Sequence, residues 1–373
     1  VHVRRLHLVN FRSYAALDVD LSPGITTFVG SNGQGKTNLV ESIVYVATHG
    51  SHRVASDTPL VANGATQATI GIEVVRDDRS VTVEIEINPG RSNRARVNRS
   101  PVARTRDALG IIRVVVFAPE DLSMVKGDPS ERRAFLDDLL IQRTPRLAGV
   151  RSDYDRVLKQ RNALLKSAQS ARRANASAID GTLEVWDGQL ARFGSEITAA
   201  RLELIDALRP RVVEAYEGIA AGRGPVTIDY SSSWLEDVDV ERAGIEQQLL
   251  EAVASRRREE LDRGITVVGP HRDDLALRLR DNPVRGYASH GEAWSTALAL
   301  RLAAFDLLRA DGDDPILILD DVFAELDASR RAQLADAVAG AGQVLITAAV
   351  AEDVPAGLTG ESFTVHEGEV TRG

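Results

Sequence analysis

Residues 30–37 read G-S-N-G-Q-G-K-T, a full match to the G-x-x-x-x-G-K-[ST] pattern. Its flanks decide how it folds. Gly24-Ile25-Thr26-Thr27-Phe28-Val29 has the apolar, β-branched look of a buried strand, and Asn38 to Val44 that of a helix, so the glycines sit at a strand-to-helix turn. There, successive backbone N–H groups can point into one concavity at a helix N-terminus, where the partial positive charge favours phosphate. Gly30, Ser31, Asn32, Gly33, Gln34, Gly35, Lys36, Thr37 and Asn38 are therefore expected to bind ATP, with Lys36 on the β- and γ-phosphates and the Thr37 hydroxyl on Mg²⁺. Lysine is scarce: Lys36, Lys126, Lys159 and Lys166 are the only four among 45 basic residues, so one at this position is not filler.

A nucleoside triphosphatase also needs a carboxylate at the end of a neighbouring strand. Pro315-Ile316-Leu317-Ile318-Leu319-Asp320-Asp321 is a short apolar run ending in two acids. Adjacent residues of a strand point different ways and can hold different tasks. Asp320 is assigned to Mg²⁺, through water, and Asp321 to orienting or deprotonating the attacking water. The long separation between the two motifs implies a large insertion within one nucleotide-binding domain.

The composition, 373 residues and 43% apolar, gives a globular chain long enough for two domains or one with an insertion. With no cysteine, disulfides and thiolate metal sites are excluded. No stretch reaches the roughly 18 apolar residues of a membrane span, and the N-terminus lacks a signal-peptide core, so the expectation is a cytoplasmic protein without a membrane partner. A net charge of -9 argues against indiscriminate coating of nucleic acid while allowing a local basic patch.

Residues 286–297, G-Y-A-S-H-G-E-A-W-S-T-A, open a helical pattern. Ser289 and Glu292 have capping-box spacing. The stretch also resembles the Ser-x-Gly element of ABC-type and SMC-type ATPases, which lies about thirty residues before the acidic strand; Ser289 stands 31 residues before Asp320. The resemblance implies that Ser289 and Gly291 contact the γ-phosphate held by a second copy, so that ATP joins two heads, with Glu325-Leu326-Asp327 crossing the dimer interface.

Several blocks together resemble the RecF family: V-N-F-R-S-Y at 9–14, T-H-G-S-H-R at 48–53, V-V-V-F-A-P-E-D-L at 114–122, G-D-P-S-E-R-R-A-F-L-D at 127–137, G-P-H-R-D-D-L at 269–275 and L-D-D-V-F-A-E-L-D at 319–327. They span the whole chain. Asp321 and Thr347 stand where transporter ATPases usually carry glutamate and histidine, whereas His290 and Glu292 depart from the glutamines usual in the RecF family. The resemblance implies a weak, DNA-stimulated ATPase used as a switch. Its ATP-dependent homodimer would bind double-stranded or gapped DNA in recombinational repair, replication-fork maintenance and the SOS response. It would promote RecA loading, indirectly, with RecR and RecO. The alternatives are an ABC-type ATPase coupled to a membrane or other non-DNA partner, and a small-molecule P-loop kinase with no need of Ser289.

The expected fold is α/β: an ABC-type P-loop ATPase head with an antiparallel β subregion and an inserted helical lobe. The boundaries are 1–142 and 263–373 for the two parts of the head and 143–262 for the lobe. Strands are expected at the N-terminus, at 81–87, 111–117, 226–230, 275–279 and 343–347, the last closing the head, and helices at 291–309 and 329–339. Leu183, Trp186, Leu190, Phe193, Ile197, Ala200 and Leu204 form a heptad seam within a rod of roughly 40 Å over residues 182–209, with Pro210 as its stop and Gly188 and Gly194 weakening it.

DNA contacts are expected from Arg91, Arg94, Arg96 and Arg99 in a hairpin-like loop and from Arg172, Arg173, Arg256, Arg257 and Arg258 in the lobe; without interleaved aromatic residues they suit duplex backbone, unless Glu259 and Glu260 balance the last three. Arg12 is expected to reach the phosphates or to form a surface salt bridge, and Glu120 to touch magnesium or its water. His271, Arg272 and Asp273 are expected to join head and lobe. His49 and His52 show neither metal spacing nor a paired carboxylate.

Overall fold

The computed structural model describes residues 1–171, 176–220, 224–238 and 241–373, without the side chains of 170, 171 and 176–180. The chain opens with β1 (His2–Phe11) and β2 (Tyr14–Asp20), then β3 (Gly24–Val29), the phosphate loop and α1 (Lys36–Thr48). After β4 (Ala68–Arg76), β5 (Arg79–Ile87), β6 (Arg94–Val97) and β7 (Ser100–Pro101), it crosses back as β8 (Val114–Phe117) into α2 (Asp121–Lys126) and α3 (Pro129–Arg143). Next come α4 (Leu147–Ala171), α5 (Ala176–Ile219), β9 (Val226–Ser231) and α6 (Arg242–Arg263). The remainder runs β10 (Asp274–Leu279), β11 (Asn282–Pro283), a kinked turn α7 (Val284–Tyr287), α8 (His290–Ala310), β12 (Ile316–Asp320), α9 (Ala328–Val338), β13 (Gln343–Ala348), β14 (Glu361–His366) and β15 (Glu369–Arg372).

Two six-stranded sheets sandwich α1. The antiparallel one, in the order β2-β1-β4-β5-β6-β7, alternates buried residues with partly exposed ones in β4 and β5, as a sheet with one wetter face does. The other, β15-β14-β3-β13-β12-β8, is parallel except at β15, and its β8, β12 and β13 are buried at every residue. Continuous apolar runs such as Ile316-Leu317-Ile318-Leu319 are what a strand covered on both faces requires. Sequence reading missed β14 and β15: β13 does not close the head, because β14 pairs with the outer side of β3. The strand expected at 111–117 is shorter, beginning at Val114.

The lobe has its own core, in which Leu190 and Ile197 of the seam pack with Tyr154 and Val157 of α4 and Ile245, Leu249 and Val253 of α6. The second half of α5 instead joins the core of the head, where Leu204, Leu208, Val212 and Tyr216 are buried with α8. This corrects the expected stop. Pro210 lies inside the helix. A mid-helix proline costs about 3 kcal/mol, and burying Val212, Tyr216 and Ile219 at about 1.5–3 kcal/mol each outweighs it. Gly194 is likewise no simple weak point: a Cβ there would meet the Leu249 side chain at 2.7 Å, so the glycine lets α6 approach.

Head and lobe are tied by buried polar contacts around residues 269–275. Arg201 of α5 forks onto Asp137 of α3 at 2.8 and 2.9 Å and donates to the Pro270 carbonyl at 2.7 Å. The Tyr154 hydroxyl lies 2.7 Å from His271 Nδ1, and Asp273 accepts from Tyr230 Oη at 2.6 Å and Trp234 Nε1 at 2.9 Å. Among the described residues, no helix is long and apolar enough to cross a membrane.

Candidate nucleotide site

The parallel sheet carries the two motifs to one edge. β13 lies between β3 and β12, pairing Thr347 with Phe28 on one side and with Asp320 on the other, so the acids emerge beside the phosphate loop. A crevice at the carboxyl ends of parallel strands is where α/β sheets bind ligands.

The loop is shaped for close approach. Gly33 and Gly35 take φ of +85° and +111°, the left-handed region that side chains resist, and a Cβ on Gly30 would fall 2.2 Å from the Val365 carbonyl oxygen of β14. The first-turn N–H groups of α1 have no intrahelical acceptors and no acidic residue among them, which leaves them suited to an anion. Gln34 is held from outside, its Oε1 accepting the Glu367 N–H at 2.6 Å. Asn38 donates to Ser13 Oγ at 3.0 Å, while Ser31 and Asn32 are exposed.

Lys36 is buried, its ammonium donating to the Gly30 carbonyl at 2.7 Å and lying 3.9 Å from Asp321. Thr37 Oγ1 donates to Asp320 Oδ1 at 2.9 Å, and Thr347 Oγ1 donates to the same oxygen at 2.6 Å. Burial pushes the Asp320 carboxyl up, but the neighbouring His52 ring and the hydroxyls of Thr347 and Thr37 outweigh it and hold the group below the usual carboxylate range. Asp321 is different. Its backbone is left-handed (φ 48°), its N–H donates to Thr347 Oγ1 at 2.9 Å, and burial, against the pull of Lys36, raises its carboxyl above the ordinary value, with Asp320, Asp353 and Glu120 adding to the rise. One acid is thus held ionised while its neighbour is pushed toward basicity, the division that acid–base work needs. Glu120 is exposed and near enough to feel Asp321.

The donor set suits magnesium. Among the described residues no three acidic, histidine or cysteine side chains gather into a cage of their own. Thr37 with Asp320 is instead the incomplete oxygen set that suits an ion bound largely through nucleotide phosphates.

Two sequence readings change here. His52 does face a carboxylate: its Nε2 is 3.7 Å from Asp320 Oδ2, and both ring nitrogens are buried without a hydrogen-bond partner. The only signal was its place in a Ser-His-Arg triplet just after the phosphate-loop helix. Arg12 forms a salt bridge, but a largely buried one: its guanidinium forks onto the fully buried Glu41 at 2.8 and 2.6 Å, with Ser51 Oγ and Arg53 on the same carboxylate. This cluster fastens the 49–53 segment against α1.

A second set of residues lies at the starts of α8 and α9. Ser289 caps α8 and completes a box with Glu292, accepting from its N–H while the Glu292 carboxylate takes the Ser289 N–H at 2.9 Å and hydroxyl at 2.8 Å. Those bonds and Arg280 at 2.5 Å hold the Glu292 carboxyl below its ordinary value. Ser289 and His290 are exposed, and α8 packs on β8, at the end of the sheet away from β3. Asp327, exposed, caps α9.

Among the described residues, the expected DNA-contacting arginines differ in how far they are engaged by nearby acids. Arg91 and Arg99 are exposed around the β6–β7 hairpin, whereas Arg94 lies 3.7 Å from Glu86 and Arg96 pairs with Glu84. On α6, Arg256 bonds Glu259 and Arg257 turns inward onto Asp187, leaving Arg258 exposed. Glu260 does not balance this trio, because it is fully buried on Arg161 at 2.6 Å. Arg172 and Arg173 lie outside the described residues.

Comparison with known proteins agrees with this geometry. The family model described as RecF/RecN/SMC N terminal domain matches residues 2–359. The DNA replication and repair proteins RecF of a Nocardioides species and of Streptomyces avermitilis are each 57% identical to the chain, with both partners fully covered. The structure of the recombination mediator protein RecF-ATPrS in the RecFOR pathway superposes with a TM-score of 0.90 at 26% identity, over 100% of this chain and 98% of that one. An Smc head domain with an extended coiled coil, derived from Pyrococcus furiosus, reaches a TM-score of 0.55 at 16% identity, over 100% of this chain and 95% of that one, a likeness of fold.

Proposed function

The chain belongs to the RecF family of the RecF/RecN/SMC ATPases, and from that premise we propose that it is a DNA-repair switch in which ATP joins two copies into a clamp on double-stranded or gapped DNA. The observation that carries this reading is that the nucleotide machinery falls into two groups of residues. The phosphate loop, Thr37, Asp320 and Asp321 meet in one crevice, while Ser289, Gly291 and Asp327 lie on α8 and α9. Among the described residues, Ser289 hydrogen-bonds only within its own cap. A second copy supplies what each crevice lacks.

Within the crevice, Gly30 to Asn38 cradle the phosphates, Lys36 supplies a positive charge, and Thr37, with Asp320 through water, would hold magnesium. The ion would draw charge from the phosphate oxygens. Asp321, raised in basicity, orients the attacking water and takes its proton. Ser289 and Gly291 donate across the dimer interface, reinforced by the dipole of α8. Hydrolysis removes what Ser289 reads, so a slow ATPase, stimulated by DNA, resets the clamp. The exposed Arg91, Arg99 and Arg258 are the candidate backbone contacts, with Arg94, Arg96 and Arg256 available by exchange from surface carboxylates worth little in water. RecR and RecO are the proposed partners, and RecA loading the outcome.

Sedimentation of the full chain alone, with ATP, and with ATP plus a gapped duplex tests the reading. The mass is expected to double with ATP, a Ser289→Arg variant to stay monomeric, and DNA to travel with the dimer. A mass indifferent to ATP would leave Ser289 as a helix cap and remove the clamp.

A further inference from the structure

Arg330, in the first turn of α9, is nearly enclosed although it belongs to a surface helix: its side chain is 11% exposed. Nε donates to Ser295 Oγ, in the second turn of α8, at 3.0 Å, and Ser295 is fully buried. Nη1 bonds the Asp327 carboxylate, whose other oxygen takes the Arg330 backbone N–H at 2.9 Å. The same guanidinium lies against Gly291, where a Cβ would sit 2.8 Å from Nη2. One planar group therefore touches the first two turns of α8 and the 327 loop. Asp327 in turn lies one short turn, Val322–Glu325, beyond Asp321 of the crevice.

Resting on the dimer reading above, we propose that Arg330 is a positioning residue that locks the Ser289–Gly291 element and the Asp327 loop into one rigid body for docking on the second copy. A fork-shaped cation suits the site: Nε and Nη1 serve two acceptors, on α8 and in the 327 loop, and a Cβ at 291 would press on Nη2. A lysine would keep the charge and lose the second bond. Gly291 thereby gains a role beyond any backbone contact with phosphate, since it admits the arginine.

The test compares wild type, Arg330→Ala, Arg330→Lys and Ser295→Ala as full chains with saturating ATP and Mg²⁺. Sedimentation equilibrium gives the dimer dissociation constant, and titration of a fluorescent ATP analogue on dilute monomer gives the affinity of the chain's own crevice. Both Arg330 variants are expected to weaken the dimer about tenfold, and Ser295→Ala, which reaches the arginine from inside the fold, about threefold, with own-site affinity unchanged in all three. A dimer as tight as wild type in Arg330→Ala, rescue by lysine, or an unaffected Ser295→Ala overturns the proposal, the last by making Arg330 a direct interface contact. Should Arg330→Ala fail to fold, Ser295→Ala still decides. A wild-type chain that ignores ATP overturns the dimer reading and this inference with it, an outcome distinct from the other three.

Discussion

Replacing Thr347 by valine keeps the volume of a buried side chain and removes one oxygen. That oxygen donates to the Asp320 carboxylate at 2.6 Å and accepts the Asp321 N–H at 2.9 Å. A hydrogen bond to a charged group contributes about 1.5–3 kcal/mol, and Asp320 is buried, so solvent screens little of it. The Asp321 N–H keeps a longer bond, 3.3 Å to the Thr347 carbonyl, which limits its own loss. The expected cost is about 2–3 kcal/mol of folding stability without nucleotide. Thr347→Ser supplies the contrast: the hydroxyl stays and one methyl goes, for about 1 kcal/mol. Urea unfolding of the three proteins at neutral pH reads these differences. With Thr37 its one remaining side-chain hydrogen-bond donor, Asp320 should also lose its fixed rotamer, so half-saturation of magnesium-dependent ATP binding should move to higher Mg²⁺ in Thr347→Val and stay in place in Thr347→Ser. A serine variant as destabilised as the valine variant, or more so, would refute the reasoning, because the methyl and not the hydroxyl would then carry the site.

Asp273 predicts a pH signature. Burial, opposed by bonds from Tyr230 and Trp234, pushes its carboxyl up to about 6. The folded value lies above that of the unfolded chain, so this contribution is complete below the unfolded value and is lost as pH rises through about 6; the stability of wild type minus that of Asp273→Asn should fall by ~2 kcal/mol between pH 4 and 7, and a flat difference in urea midpoints would count against it. Gly194→Ala should cost about 1–3 kcal/mol by pressing on Leu249, read as a lower melting temperature with ATP affinity preserved. Glu41→Gln leaves the largely buried Arg12 without its ion partner and is expected to cost about 3 kcal/mol in chemical unfolding. His52→Ala should lower turnover more than His52→Asn, which keeps a polar group beside Asp320; equal rates would make the ring a filler.

The nucleotide crevice was legible because its signals are local. Glycines at φ a side chain resists, a lysine in a chain that otherwise uses arginine, and an apolar run ending in two acids each say what they are within a few residues. The capping box at Ser289 was legible for the same reason. What escaped notice depends on distant partners. His52 means little until β12 brings Asp320 beside it, and Arg330 looks like a surface arginine until α8 places Ser295 and Gly291 against it. β14 has the alternation of a half-buried strand, yet its importance to the loop, the Val365 carbonyl above Gly30, exists only in three dimensions. Pro210 and Gly194 were misjudged by propensity, which describes an isolated helix, whereas α5 is packed from Trp186 to Ile219.

That packing gives α5 the character of an axle. It runs without interruption from Ala176 to Ile219, its first half gripped by α4 and α6 and its second half by α8. At 1.5 Å per residue the two grips are centred some tens of ångströms apart, so a tilt of about 5° at the head end would sweep the lobe end through roughly 3 Å. α8 is the helix that Ser289 begins. Whatever seats or releases that N-terminus therefore has a lever of fixed length reaching to the core built by α4 and α6.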